Sequence, residues 1–456
     1  MSTYTRQRTL PLTGAGRSAY TPGLRTASRD CGRTPPRCPD ATMTDRQTPR
    51  RTVLVVTNLF APALDTSVFR ILKFVKYLPE FGWRPVIIPV EVRKPRRMDA
   101  RLLADVPPEA AVIRPRRPFR RFLSEILALV RRDPVFGSRA GPYRAAVRAI
   151  PRIARDTGAE VCLVTLPPAG LSYPALKAME AGLPVVLDFR DPPTILEKLG
   201  RDGKNPARAR FFEDAERQAI RQARRVILNT EAARAAAEAA GLATAAGFDV
   251  ITNGYDEAEF AGIDAAPPAE VFTMLYTGSV HEASHIANFI RGLERALQRI
   301  PEMGTRSRLV VLGDARFLAQ AARSPAAALI EERGWVPRAE VARAIANAHA
   351  CLLFCPPSTT PLRVPSKLYE YLRGAREILA FVNEGAAAQV IRAARAGTVT
   401  TPEDPEAIAR EAARAFLAWR SGAAPDKNRG AIAAYERRAL TARLAAILAE
   451  ASVRPA

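Results

Sequence analysis

Histidine and cysteine are scarce in this 456-residue chain, which has three of the first and five of the second. Neither a metal centre rich in such ligands nor a disulfide framework is therefore expected. Cys31 and Cys38 lie in a polar stretch, whereas Cys162, Cys351 and Cys355 sit in apolar runs. That usage suits a reduced, cytoplasmic chain. No uninterrupted apolar run approaches the roughly 18 residues of a membrane span, and the first residues lack the apolar core of a signal peptide. Two phosphate cradles are missing as well. There is no G-x-G-x-x-G after the first strand and no G-x-x-x-x-G-K-[ST] anywhere, which argues against a dinucleotide dehydrogenase and a P-loop NTPase. Acidic residues are in deficit, with 46 Asp and Glu against 68 Lys and Arg, a net charge of +22. No aromatic-rich basic strand or recognition motif accompanies that charge, so nucleic acid is not an expected partner.

What is present is a globular composition, 48% hydrophobic, in a chain long enough for two large domains. Residues 1–51 stand apart, with ten Arg, three Asp and no apolar period. Such a stretch cannot bury enough surface to offset its chain entropy, and a disordered basic tail is expected, with Met43 a candidate translation start. From residue 52 continuous apolar runs alternate with helical periods. The strands expected are VLVVTN (53–58), PVIIPV (85–90), VCLVTL (161–166), PVVLDF (184–189), VILNT (226–230) and FDVITN (248–253). A second series follows: FTMLYTG (272–278), RLVVLG (308–313), CLLFC (351–355), EILAFV (377–382) and GTVTT (397–401). Strands buried on both faces and separated by helices predict an α/β fold of two doubly wound halves with a cleft between them. The expected boundaries are an N-terminal half over 52–253, a C-terminal half over 254–420 and a C-terminal helix over 421–456. Ser172 and Ser366 are the expected caps of two of the helices.

Two segments carry candidate chemistry. In LDFRDPP (187–193), Asp188, Arg190 and Asp191 crowd the end of a buried strand. Buried charges need partners, so the cluster either faces a cleft or forms an internal salt bridge. In VPSKLYEYLRG (364–374), Ser366 opens a helix whose N-terminus attracts phosphate, Lys367 adds a point charge, and Glu370 is placed to accept hydrogen bonds from sugar hydroxyls. The competing reading of this segment is an amphipathic helix with a solvated Lys and Glu. His281 and His285, four apart, share a helix face, but no acidic residue completes a zinc motif, so no metal site is expected and a surface or helix-start position is. Cys351 and Cys355 read as core packing.

The order of TLPPAGLSYPAL (165–176), GLPVVLDFRDP (182–192), DVITNGYDEAEF (249–260), LYTGSVHE (275–282), GWVPRAEV (334–341) and VPSKLYEYLRGAREILAF (364–381) resembles the GT-B glycosyltransferases, specifically the family 4-like group. The resemblance implies two facing Rossmann-like domains, the N-terminal one for an acceptor and the C-terminal one for a nucleotide-activated sugar. It places Glu370 on the ribose, Lys367 and Ser366 by the diphosphate, and Gly278 and Ser279 where the backbone approaches the phosphates. Trp335, Val336 and Pro337 would line the base pocket and Asp191 would sit on the acceptor side, with Asp191, Arg190 and Lys367 the candidate catalytic residues. The implied activity moves a sugar from a nucleotide-diphosphate sugar, with a UDP-linked donor expected, to a glycan or lipid-linked glycan. No cofactor is implied, since the nucleotide sugar is a substrate, and no metal is expected because neither a D-x-D motif in a suitable loop nor a ligand cluster appears. The chain departs from the family pattern in three places. Leu362 stands where a second glutamate is usual, the basic residue after the Gly278 loop is replaced by His281 or His285, and APALDTSVFR (61–70) stands in for a Gly-rich loop, Arg70 alone looking familiar. A sugar-nucleotide epimerase of the same fold and a silent nucleotide-sugar-binding scaffold subunit are the rival readings.

Charge is concentrated between Arg93 and Arg148, with fifteen Lys or Arg against five Asp or Glu. Within it FRRFLSEILALVRR (119–132) separates an apolar side from an Arg-rich one at about 100° per residue. It reads either as a domain helix packed on the sheet or as a cationic helix lying on the inner face of the cell membrane, an anionic surface to which each basic residue adds about 1 kcal/mol. The protein is expected to sediment with anionic but not neutral vesicles at low salt. Replacing Arg114, Arg116, Arg117, Arg120 and Arg121 with Ser should abolish that binding; equal, negligible binding to both vesicle types overturns the surface reading.

Overall fold

A computed structural model describes residues 50–92, 94, 95, 97–115, 140–197, 206–244, 246–279, 283–313, 316–355, 361–423 and 425–453. Residues 1–49 of the expected tail, with Met43, and also His281 and the 119–132 stretch lie outside the described residues, whereas Arg51, expected to end the tail, already belongs to the first strand. The first half is a seven-stranded parallel sheet: β1 (Arg51–Thr57), β2 (Trp83–Pro89), β3 (Ala111–Val112), β4 (Ala159–Leu166), β5 (Val185–Phe189), β6 (Arg225–Leu228) and β7 (Phe248–Val250), ordered β3-β2-β1-β4-β5-β6-β7. The second half is a six-stranded parallel sheet: β8 (Phe272–Thr277), β9 (Ser307–Leu312), β10 (Ile330–Gly334), β11 (Ala350–Phe354), β12 (Glu377–Phe381) and β13 (Gly397–Thr400), ordered β10-β9-β8-β11-β12-β13. Both are α/β layers of the Rossmann-like kind, as the alternation of runs and helical periods predicts.

The helices of eight residues or more are α1 (Thr66–Tyr77), α2 (Ala140–Thr157), α3 (Ser172–Glu180), α4 (Pro206–Gln222), α5 (Glu231–Ala239), α6 (Ala283–Arg299), α7 (Arg338–Ala346), α8 (Ser366–Gly374), α9 (Ala386–Ala393), α10 (Pro405–Arg420) and α11 (Arg437–Ser452). Asp65 caps α1 by accepting from Ser67 N, and Asp404 caps α10 through Glu406 N and Ala407 N, satisfying amides that have no partner inside the helix. Ser172 and Ser366 do not cap. Each is the first helical residue, preceded by Leu171 and Pro365 with no side-chain cap bond, and the Ser172 hydroxyl is buried without a partner.

Four elements depart from the sequence reading, the first being the two-residue edge strand β3, which no apolar run announced. β10, IEERG, has only one fully buried residue and lies at the sheet edge, so it lacks the apolar run of a central strand. The helix expected over 428–451 is interrupted between a turn at Arg429–Ala433 and α11, because Tyr255 N and Arg437 N bond across this stretch to Tyr435 O and Tyr255 O. Finally, α11 does not stand apart as a terminal helix. Its Leu440, Leu444, Ile447 and Leu448 pack with Val53, Val55, Val161 and Leu163, so the chain ends on the first sheet. α10 remains with the second sheet, where Ile408 and Phe416 pack against Phe289 and Leu293.

The junction of the halves is fixed by charge. Arg70 in α1 is 2% exposed and Asp188 in β5 is fully buried; they pair at 2.6 Å, with Arg70 Nε also donating to both carboxylate oxygens. Arg70 further donates to Ile251 O at 2.8 Å and Thr252 O at 2.6 Å, in the segment that leaves the first sheet. Removing one member of a buried pair strands the other. Arg70→Ala should therefore destabilise the protein by about 3–5 kcal/mol. In chemical denaturation, Arg70→Ala combined with Asp188→Ala should cost clearly less than the sum of the single changes, and additive losses would contradict this.

Candidate functional site

The carboxyl ends of the two sets of strands face a cleft of about 820 Å³, where ligands of open parallel sheets bind. From the first half it is lined by Asn58, Asp65–Ser67, Phe69, Arg70, Val92, Tyr143, Pro167–Gly170, Arg190, Asp191, Phe212 and Asn253. From the second come Ser279, Phe354, Arg363–Lys367 without Leu362, and Arg437. Five of the residues singled out from sequence, Arg190, Asp191, Ser279, Ser366 and Lys367, thus share one cavity although they come from both halves.

The second-half wall is built by α8 docking on the end of β8. Tyr371 and Lys367, one turn apart on the same helix face, both reach that strand end. The Tyr371 hydroxyl accepts from Thr277 N at 3.0 Å, and Lys367 Nζ donates to Tyr276 Oη at 3.0 Å and to Thr277 O. Beyond β8 the backbone turns at Gly278 with φ 93°, a conformation that favours glycine. A Cβ there would lie 3.1 Å from Lys367 Nζ, so glycine keeps the ammonium close to the bare backbone. Half-buried Lys367 has no ion pair among the described residues. Burial lowers its pKa to about 8, against the opposing influence of Cys355 and Glu370.

On the opposite wall, Arg190 donates to Pro167 O at 2.5 Å and Ser67 O at 3.4 Å. Burial pulls its pKa down, and Asp191, Asp188 and Asp65 offset part of that. Asp191 meets Arg363 across the cleft at 3.6 Å, and Thr230 Oγ1 donates to Leu362 O at 2.7 Å, joining the approach to α8 to the first half. The LDFRDPP cluster therefore divides its charges: Asp188 turns inward to Arg70 and Arg190 turns to the cleft.

Glu370, Trp335, Val336 and Pro337 do not line the cavity. Glu370 accepts from Arg338 at 2.8 Å, and the same guanidinium reaches Glu259 at 2.5 Å. Trp335 is 54% exposed, with Arg97 over its ring at 4.2 Å. His285 lies in the first turn of α6, at the expected helix start, but it is buried, 3% exposed and 3.8 Å from Glu403, contrary to a surface position. Sequence reasoning missed Arg363, Arg437, Tyr143 and Phe212, and it singled out Pro167–Gly170 within TLPPAGLSYPAL without giving that segment a place in the site. Arg363 directly precedes the α8 motif and was open to notice, whereas Arg437 lies seventy residues beyond Lys367 with no local signature.

Residues 70–254 match the model of the Glycosyl transferase 4-like domain. Among solved structures, sucrose-phosphate synthase from Thermosynechococcus elongatus aligns at TM-score 0.57 and 14% identity, over 87% of this chain and 97% of that one. The apo lipopolysaccharide outer core galactosyltransferase WaaB aligns at 0.54 and 14%, over 86% and 97%. A putative UDP-N-acetylglucosamine 2-epimerase from Listeria monocytogenes aligns at 0.53 and 10%, over 87% and 95%. No curated protein matches the chain by sequence. The two facing sheets are those of the GT-B glycosyltransferase fold, and the resemblance read from the motifs holds.

Because folding lowers the Lys367 pKa from its usual 10.5 to about 8, the folded chain releases this proton first. The stability contribution of this group therefore rises with pH between about 8 and 10.5, while its cationic charge in the cleft is lost over the same interval. Calorimetry from pH 7 to 9.5 should show affinity for inorganic pyrophosphate falling above about pH 8. Lys367→Arg, which keeps its charge, should flatten that fall. A flat wild-type profile would remove Lys367 from anion binding.

Proposed function

We propose that this protein transfers a glycosyl group from a nucleotide-diphosphate sugar, UDP-linked, to an acceptor hydroxyl held in the cleft. The observation that carries the reading is the placement of Lys367 and the α8 N-terminus directly across one cavity from Arg190 and Asp191. In the reaction the bond from the anomeric carbon to the diphosphate oxygen breaks, a bond to the acceptor oxygen forms, and the acceptor hydroxyl gives up its proton to the departing diphosphate oxygen. Both electrons of the broken bond leave with the diphosphate. Lys367 and the uncapped amides at the start of α8 face that developing charge, an arrangement that lowers the barrier without reorganisation. Asp191 orients the acceptor hydroxyl, and Arg190, held by two carbonyls, fixes the wall on which the acceptor lies. The aromatic rings of Tyr143 and Phe212, 6.3 Å apart, suit a sugar face on the same wall.

The donor charge is thus met by protein groups, and the proposed hexosyl transfer needs no metal. The acceptor is a glycan or lipid-linked glycan, and the basic 93–148 stretch supports work at the inner face of a membrane. Among the described residues no helix is long and apolar enough to cross one.

The test is product analysis with a panel of nucleotide sugars, with and without candidate acceptors, in the presence of a chelator. Acceptor-dependent release of the nucleoside diphosphate is expected, and Lys367→Ala should slow it by about 100-fold or more. Glu370→Ala should weaken nucleotide binding by about 1–3 kcal/mol, and unchanged affinity by calorimetry would remove Glu370 from the donor site. Interconversion of the donor sugar without acceptor would instead establish an epimerase, and tight donor binding without turnover a silent subunit.

A further inference from the structure

The two segments that join the halves cross at the floor of the cleft. Tyr255 N donates to Tyr435 O at 3.1 Å, and Arg437 N donates to Tyr255 O at 2.8 Å. A Cβ on Gly254 would lie 2.1 Å from Tyr435 O, so the crossing tolerates only glycine there. Arg437, first residue of α11, sits at this crossing and lines the cavity while only 4% exposed.

Its guanidinium has no side-chain hydrogen bond and no ion pair among the described residues, and Nη1 is fully buried without a partner. The carboxylates nearest in charge terms, Glu259 and Glu370, are already engaged. Arg338 holds both, and Lys73 holds Glu259 at 2.9 Å. Arg70, the cation beside it, is neutralised by Asp188. A buried guanidinium without a counter-charge is costly, and burial with Arg70 nearby lowers its pKa to about 10. Such a cost is recovered when a ligand brings the missing anion. The α8 N-terminus on the same cavity, with Lys367 at its second position and no side-chain cap, presents further donors.

We propose that Arg437, at the crossing of the two linking segments, binds a phosphate group of the ligand. The proposal rests on reading the cleft as the substrate site. Phosphate reaches the cleft either as the diphosphate of the donor or as a phosphoryl group on the acceptor. The guanidinium fork suits two oxygens of either.

The experiment is calorimetry on the full chain at fixed ionic strength with two probes, inorganic pyrophosphate and a hexose 6-phosphate. Wild type is compared with Arg437→Gln, Arg437→Lys and Lys367→Ala. Arg437→Gln should weaken at least one probe by about ten-fold or more, with Arg437→Lys retaining part of the affinity. Loss confined to pyrophosphate assigns Arg437 to the donor diphosphate, and loss of the hexose phosphate to an acceptor phosphate. The melting temperature without ligand should hold or rise in Arg437→Gln, because an unpaired buried charge is removed. A fall of several degrees would mean that the guanidinium already has a partner, and overturns the proposal. So does unchanged binding of both probes in Arg437→Gln; if Lys367→Ala then loses pyrophosphate, the donor-site reading survives. If Lys367→Ala loses neither probe, that reading fails with it.

Discussion

The buried pair of Arg70 and Asp188 is the constraint on which the arrangement of the cleft depends. One guanidinium meets a carboxylate at the end of β5 and two carbonyls of the segment that leaves the first sheet. Thr165 adds a hydrogen bond to the same carboxylate at 3.3 Å. Three pieces of chain distant in sequence therefore converge on one charge. The pair also explains why Arg190 is available, because Asp188 is already neutralised and leaves its neighbour two positions on to turn outward. Inside a protein such a pair contributes less to stability than its removal would suggest, and fixing geometry is the role that suits it.

A second group of charges secures the other side of the junction. Lys73 and Lys76 in α1 share Asp105 and Asp256, and Tyr77 donates to Asp256 at 2.5 Å. Burial alone would raise the Asp256 carboxyl, but Lys73, Tyr77 and Lys76 more than offset it and hold it well below the usual carboxylate range. Arg338 continues the chain of contacts through Glu259 to Glu370, and packs over the Phe69 ring at 5.0 Å. α1 is thus tied both to the segment following the first sheet and to the two helices of the second half nearest the cleft. Among the described residues, Lys367 and Arg437, both on the cavity, are left along this path without an ion pair.

Much of the fold could be read from the chain alone. Runs such as VLVVT and CLLF, apolar on both faces, can only be interior strands, and their alternation with helical periods leaves few topologies. β10 escaped because an edge strand needs no such run, and the break before α11 escaped because it depends on hydrogen bonds to Tyr255. The caps show the same limit: a Ser at a helix start signals the start, but whether it caps depends on the preceding residue's backbone, as Leu171 and Pro365 show.

For the site, the sequence by itself determined which local segments carry chemistry: LDFRDPP, because three charges cannot end a buried strand without partners, and VPSK, because a helix start with a lysine favours phosphate. Tertiary structure decided which partner each charge takes. Asp188 chose Arg70, 118 residues away, Glu370 chose Arg338, and Lys367 and Arg437 were left facing the cavity. The physical reason is that backbone propensity and apolar period act over a few residues, whereas a buried charge is satisfied by whatever the packing of distant elements brings within about 3 Å.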